Sequence, residues 1–138
     1  MNDSFFLDTN IFVYSFDSKE PGKQKRAQEL IRAGLEGQGI ISWQVVQEFC
    51  NVALHKFEKP MGRDDLRDYM HTVLLPLCTV WPEESLYHRA LSTGLETGYR
   101  WYDSLILVSA LKSDAGILYS EDLQHDRVYM GIHIRNPF

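Results

Sequence analysis

Short apolar runs alternate along this chain with longer stretches in which apolar residues recur at helical spacing. Phe5-Phe6-Leu7 is too short for a helix and stops at Asp8, as a buried strand does. From Lys23 to Leu35, Ala27, Leu30, Ile31 and Leu35 form one helical face, and Gly37 and Gly39 are expected to end it. Gly39-Ile40-Ile41-Ser42 reads as a second strand, followed by a helical stripe of Val45, Val46, Phe49, Val52 and Ala53. After Lys59-Pro60-Met61-Gly62, a third helix is expected from Arg63 to Leu75, near Pro76, and then a strand at Cys78-Thr79-Val80-Trp81. Pro82, Glu83 and Glu84 mark a helix start, and Gly98 its end. Leu105 to Leu111 is apolar on nearly all sides, which calls for a buried central helix. Gly116 to Ser120 and Gly131 to Arg135 complete the strands. Strands alternating with helices imply an α/β fold with a parallel sheet packed between helices. With no repeat, linker or low-complexity tract, residues 1–138 are expected to form a single domain.

Composition narrows the function classes. The chain is 44% hydrophobic and 24% charged, ordinary globular values, and its formal net charge is −5. That balance excludes a uniformly basic nucleic-acid binder held by phosphate neutralisation, so any such function must come from a local site. Cys50 and Cys78 lie outside any C-x-x-C pattern, which excludes a zinc ribbon and favours reduced thiols. Met1-Asn2-Asp3-Ser4 lacks the positive start of a signal peptide, and no apolar run reaches the roughly 20 residues that cross a bilayer. The expectation is a cytoplasmic protein with no membrane segment.

The acids are the chemistry-bearing residues. Ligands of open parallel sheets bind beyond the carboxyl ends of strands. Asp8 follows the first strand and Asp122 the strand ending at Ser120. Glu48 lies beside an apolar stripe, and Asp103 heads the buried helix. Each has a plain alternative: Asp8 as a turn and cap residue, Asp103 as a helix N-cap, Glu121-Asp122 as a solvated turn. Glu48 is the most telling, because an acid against an apolar stripe is costly unless compensated. Four such carboxylates at one sheet edge would repel, and so would either hold protons or bind cations. Oxygen ligands suit magnesium or manganese. His55, His71, His88, His125 and His133 show no repeated ligand spacing, there is no G-x-x-x-x-G-K-[ST] loop, and no Ser-His-Asp arrangement is apparent.

The segments LDTNIFVYSFD, SWQVVQEFCNV, YRWYDSLILVSALKSDAGILYSEDLQHD and GIHIRNPF resemble the PIN domain, and within it the VapC-type toxin ribonucleases of toxin–antitoxin pairs. The resemblance spans nearly the whole chain in order. It implies a three-layer α/β/α sandwich with a central parallel sheet, and catalytic, metal-binding acids at Asp8, Glu48, Asp103 and Asp122. It places Asn10 and Ser120 as polar supports around them. The implied activity is hydrolysis of RNA with water activated by Mg2+, or Mn2+, and the implied partners are RNA, an antitoxin and a second copy of the chain. The other readings of the same fold are an RNA-processing nuclease without an antitoxin and a catalytically silent binding module. Asp126 departs from relatives that carry Gly after QH and lies either near the metals or in solvent, and His125 beside it is a candidate auxiliary group. Arg100, Trp101 and Tyr102, just before Asp103, are candidates for RNA contact, the rings stacking a base and the guanidinium meeting a phosphate. Packing against the core is the alternative for the rings. Lys23, Lys25 and Arg26 form a basic cluster, either a solvated face or a phosphate contact. The Phe12-Val13-Tyr14 run and Phe16 are expected in the core or at a protein interface, where the antitoxin would cover them.

Overall fold

The computed structural model describes residues 3–138; the expectation about the first residues falls partly on Met1 and Asn2, outside that range. Among the described residues, six strands form one sheet in the order β3-β2-β1-β4-β6-β5. They are β1 (Phe5–Leu7), β2 (Gly39–Ser42), β3 (Cys78–Val80), β4 (Ile117–Tyr119), β5 (Val128–Tyr129) and β6 (Ile132–Arg135). β1 pairs in parallel with β2 on one side and β4 on the other, with Phe6 opposite Ile40 and Leu118. The connections run through α1 (Thr9–Tyr14), α2 (Pro21–Ala33), α3 (Trp43–His55), α4 (Arg63–Tyr69), α5 (Leu75–Leu77), α6 (Glu84–Thr97) and α7 (Trp101–Lys112). The fold is the expected α/β sandwich, with three local differences.

First, residues 9–14 form a helix that the sequence does not announce, because Ile11-Phe12-Val13-Tyr14 has no polar face to set a period of 3.6. Second, the helix before β2 widens into a π-helical turn from Gly34, and Gly37, with φ 127°, breaks it just before β2 as its glycines lead one to expect. Likewise a π-helical turn over Met70–Leu74 carries the third helix through Pro76, which sits in the first turn of α5 and needs no amide bond there. Third, β5 is antiparallel to β6. Met130 and Gly131 form the two-residue turn between them, both with positive φ (47° and 88°), the twist that a tight hairpin requires.

The core lies on both faces of the sheet. Phe6, Leu7, Ile11, Phe12, Phe49 and Leu118 are fully buried. Burying each such side chain contributes about 1.5–3 kcal/mol. α7 is buried from Ser104 to Ala110, as its unbroken apolar sequence demands. One side of it joins the main core through Ile106 and Leu107, and the other packs Leu105 and Val108 against Leu86 and Ala90 of α6. Cys50 and Cys78 are free thiols.

The start of β2 depends on a backbone contact. A Cβ on Gly39 would stand 2.4 Å from the Cα of Gly34, a backbone atom that cannot swing away. Gly22, in α2, has open space around it. Gly39→Ala should therefore lower stability by about 2 kcal/mol, seen as a drop of roughly 5–10 °C in the thermal midpoint. Gly22→Ala should leave it unchanged or raise it by about 0.5 kcal/mol. Equal midpoints for the two variants would show that the contact is not limiting.

Candidate active site

The chain passes from β1 to β2 on one side, while β4 lies on the other, so the strand order reverses between β1 and β4. A crevice opens at the carboxyl ends of strands where the connections diverge in this way. Asp8 and Ser120 are the first residues beyond those two strands.

Asp8 is the N-cap of α1, as one reading of its position holds, but it is also almost completely buried. Its Oδ1 accepts a 2.7 Å bond from the Thr9 amide, and its Oδ2 accepts one of 2.7 Å from the Ser120 hydroxyl. Loss of water around the carboxylate pushes its pKa up to about 7; the bonds from Ser120 and Thr9 oppose the rise, while the charges of Glu48 and Asp122 add to it. Ser120, fully buried, also accepts the Asp122 amide at 3.1 Å, so one hydroxyl links the two acids.

The remaining acids come from three other segments. Glu48, half-buried one turn into α3, accepts the Thr9 hydroxyl at 2.7 Å. Asp122 lies exposed in the loop after β4, and its Oδ2 accepts the Asn10 amide at 3.3 Å. Asp103 sits at the third position of α7, whose N-cap is Arg100, so the simple capping role does not apply to it. Its pKa is raised by partial burial, then by the charge of Asp122, against the pull of Arg100. Glu48, Asp8, Asp122 and Asp103 thus form a chain of mutually felt charges. Among the described residues, no three His, Cys, Asp or Glu side chains close into a ready metal cage.

The donor set can nevertheless accommodate a hard cation. Its possible ligand atoms are carboxylate oxygens and the Asn10 carboxamide oxygen, the type that binds magnesium and manganese. Asn10 Oδ1 is buried with no hydrogen-bond partner, an oxygen whose desolvation nothing in the protein offsets. Asp8 is almost completely buried, and among the described residues no cation pairs with it.

Other candidates fall elsewhere. Trp101 stacks on Tyr87 at 6.2 Å, both rings more than a third exposed, and Tyr102 is 65% exposed, so neither Trp101 nor Tyr102 is buried in the core. The Tyr102 carbonyl accepts the amide of buried Gln44, tying the start of α7 to α3. Arg100 is exposed. Asp126 is bracketed by His125 and His133 at 3.3 and 3.1 Å rather than by the site acids. Lys23 is paired with Glu121, not free for a phosphate. The sequence does not single out Thr9 or Gln44, and it places Tyr14 only with core or interface residues; each acts through a partner 39 to 107 residues away, beyond any local pattern.

Residues 5–130 match the profile of the PIN domain family. The chain is a PIN domain. No curated protein sequence matches it. Among solved structures, this PIN domain is similar to a chain of a toxin–antitoxin complex from Klebsiella pneumoniae, with a TM-score of 0.71, 17% identity and 98% of each chain covered. FitAcB from Neisseria gonorrhoeae superposes with a TM-score of 0.65 at 17% identity, over 96% of this chain and 97% of that one. The Mycobacterium tuberculosis VapC20, a sarcin-ricin loop cleaving toxin, gives 0.60 at 16% identity, over 86% and 90%. At these identities the likeness establishes the fold.

The buried carboxylate has a measurable consequence. Between about pH 4 and pH 7 the folded protein holds a proton on Asp8 that the unfolded chain has released. Stability from this group is therefore full below pH 4 and declines as pH rises towards 7. In the metal-free protein, Asp8→Asn should be the more stable form at pH 8, by roughly 2–4 kcal/mol, with the gap shrinking towards pH 4. Urea titrations of both proteins at pH 4, 6 and 8 check this; a gap independent of pH would refute it.

Proposed function

We propose that this PIN domain is a metal-dependent endoribonuclease and the toxin of a toxin–antitoxin pair. The observation that carries the reading is the buried Asp8 carboxylate, without a cationic partner among the described residues, beside a buried and unpartnered Asn10 oxygen. A buried carboxylate of this kind is costly and is explained by a cation it exists to hold. Asp8, Glu48, Asp103 and Asp122 would hold Mg2+ or Mn2+. Such an ion supplies Lewis acidity towards water and phosphate oxygens, and so permits phosphodiester hydrolysis at neutral pH.

The protein's own residues have separable roles in this reading. Ser120 and the Thr9 amide fix the Asp8 carboxylate from two sides, and the Thr9 hydroxyl holds Glu48. Asn10 orients Asp122. Arg100 at the rim meets a substrate phosphate, and the exposed faces of Trp101 and Tyr102 offer stacking surfaces to unpaired bases. Single-stranded or loop RNA fits such a rim better than a duplex, whose bases are already stacked.

The partner side rests on a different surface. A cleft of about 630 Å³ lies away from the acids; Val13, Phe16, Val52, Phe57 and Met61 line it together with charged residues such as Lys19, Lys56 and Glu58. An antitoxin segment seated there would cover Phe16, which is 42% exposed. The Klebsiella pneumoniae chain with this fold comes from a toxin–antitoxin complex, which supports this assignment. Homodimerisation and a cytoplasmic location belong to the same reading; among the described residues, no helix is long and apolar enough to cross a membrane.

The test is RNA cleavage by purified protein with Mg2+, with Mn2+ and with chelator. Asp8→Asn and Asp103→Asn should each lose roughly 10²–10³-fold in kcat, and Tyr102→Ala should mainly raise KM. Cleavage that persists in chelator, or in both acid variants, would sink the metal mechanism.

A further inference from the structure

Glu121, the neighbour of Asp122, has both carboxylate oxygens held. Oε1 accepts the Tyr14 hydroxyl at 2.7 Å and Oε2 accepts Lys23 Nζ at 2.8 Å. Lys23 Nζ also donates to the Tyr14 oxygen at 3.3 Å and lies 4.7 Å above the Tyr14 ring. The Phe138 ring closes the group, edge-on to Tyr14 with centroids 5.0 Å apart. The ion pair is only 35% and 27% exposed, so it is shielded from the screening that weakens surface pairs.

The arrangement matters because of α1. Asn10 and Tyr14 are four residues apart and share one face of that helix. Asn10 holds Asp122 and Tyr14 holds Glu121, so one helical face holds two consecutive acids of the loop. Asp122 itself is exposed, and among the described residues its side chain has only the long Asn10 bond. Resting on the metal reading above, we propose that Lys23, Tyr14 and Glu121 form a clamp that positions Asp122 for cation binding. They are positioning residues: they act through the loop and touch neither the cation nor RNA.

The clamp and simple electrostatics predict opposite signs. Removing the Lys23 charge would, by Coulomb attraction alone, tighten cation binding. Loss of the clamp would loosen Asp122 and weaken it. The experiment is calorimetric titration of the full chain with Mn2+, alongside single-turnover RNA cleavage. Lys23→Met should bind Mn2+ roughly tenfold more weakly, with Lys23→Arg within about threefold of wild type and Tyr14→Phe in between. KM for RNA should stay constant while kcat falls. Tyr14→Phe keeps the ring packing and removes only the hydroxyl, so it decides the matter if Lys23→Met proves unstable in metal-free melts. Unchanged or tighter Mn2+ binding in the variants would overturn the clamp. So would a raised KM at unchanged Mn2+ affinity, which would make Lys23 a phosphate contact. If wild type binds no Mn2+, or Asp8→Asn binds it equally well, both the clamp and the metal reading fall.

Discussion

A carboxylate that has lost its water lies at the end of the central strand, and the architecture around it follows from that placement. Asp8 terminates β1, caps α1 and bonds to Ser120 at the end of the adjacent strand. Two short bonds do not replace the hydration of an ionised carboxylate, so burial dominates and the group is reluctant to ionise below neutral pH. The cost is borne by a sheet whose flanking residues, Phe6, Leu7, Ile11 and Phe12, are all fully buried and leave the site little room to relax. Stability is spent where a ligand can return it.

Topology then determines which other residues reach Asp8. The reversal of strand order between β1 and β4 brings Ser120 and Asp122 to it from 112 and 114 positions along the chain. Parallel β2 on the other side delivers α3, and with it both Gln44 and Glu48, four residues apart on one helical face. Gln44 reaches the Tyr102 carbonyl beside Asp103, and Glu48 receives Thr9 beside Asp8. One face of α3 therefore sets the relation between the first turn of α1 and the first turn of α7. Neutral hydrogen bonds do this work, and they let like charges stay near one another without being paired away before a cation arrives.

What could be read in the chain, and what could not, divides by sequence distance. Five of the six strands and the buried α7 are local signals of apolar run length and unbroken apolarity, and Asp8 is legible as an acid that follows a strand. α1 escapes because six residues of TNIFVY hold too little periodicity to separate a helix from a strand. The hairpin at Met130-Gly131 escapes because Met is not a residue that favours positive φ. Lys23 reads as one of three neighbouring cations, yet its partner is Glu121, 98 residues on. Asp126 reads as an extra acid either near the metals or in solvent; it is exposed, and two histidines hold it, one of them from β6. No pattern in a single sequence encodes such pairings, because they depend on which strands become neighbours.

α1 also explains how a small domain can carry two surfaces without two domains. Thr9 and Asn10 on this helix serve the acids, Tyr14 serves the clamp, and Val13 lines the cleft. At 1.5 Å rise per residue, Val13 and Thr9 are only about 6 Å apart along the helix axis. Residues four apart share a face, and this keeps the uses separate: Asn10 and Tyr14 turn towards the loop after β4, while Thr9 and Val13 turn towards Glu48 of α3 and the cleft. The acidic balance of the chain takes its meaning from the same arrangement. A formal charge of −5 argues against a binder that works through uniform basicity. Four of the acids behind that number sit around the end of β1, where two divalent ions would cancel most of it. In the proposed reading, affinity for RNA is thus conditional on the cation that also performs the chemistry.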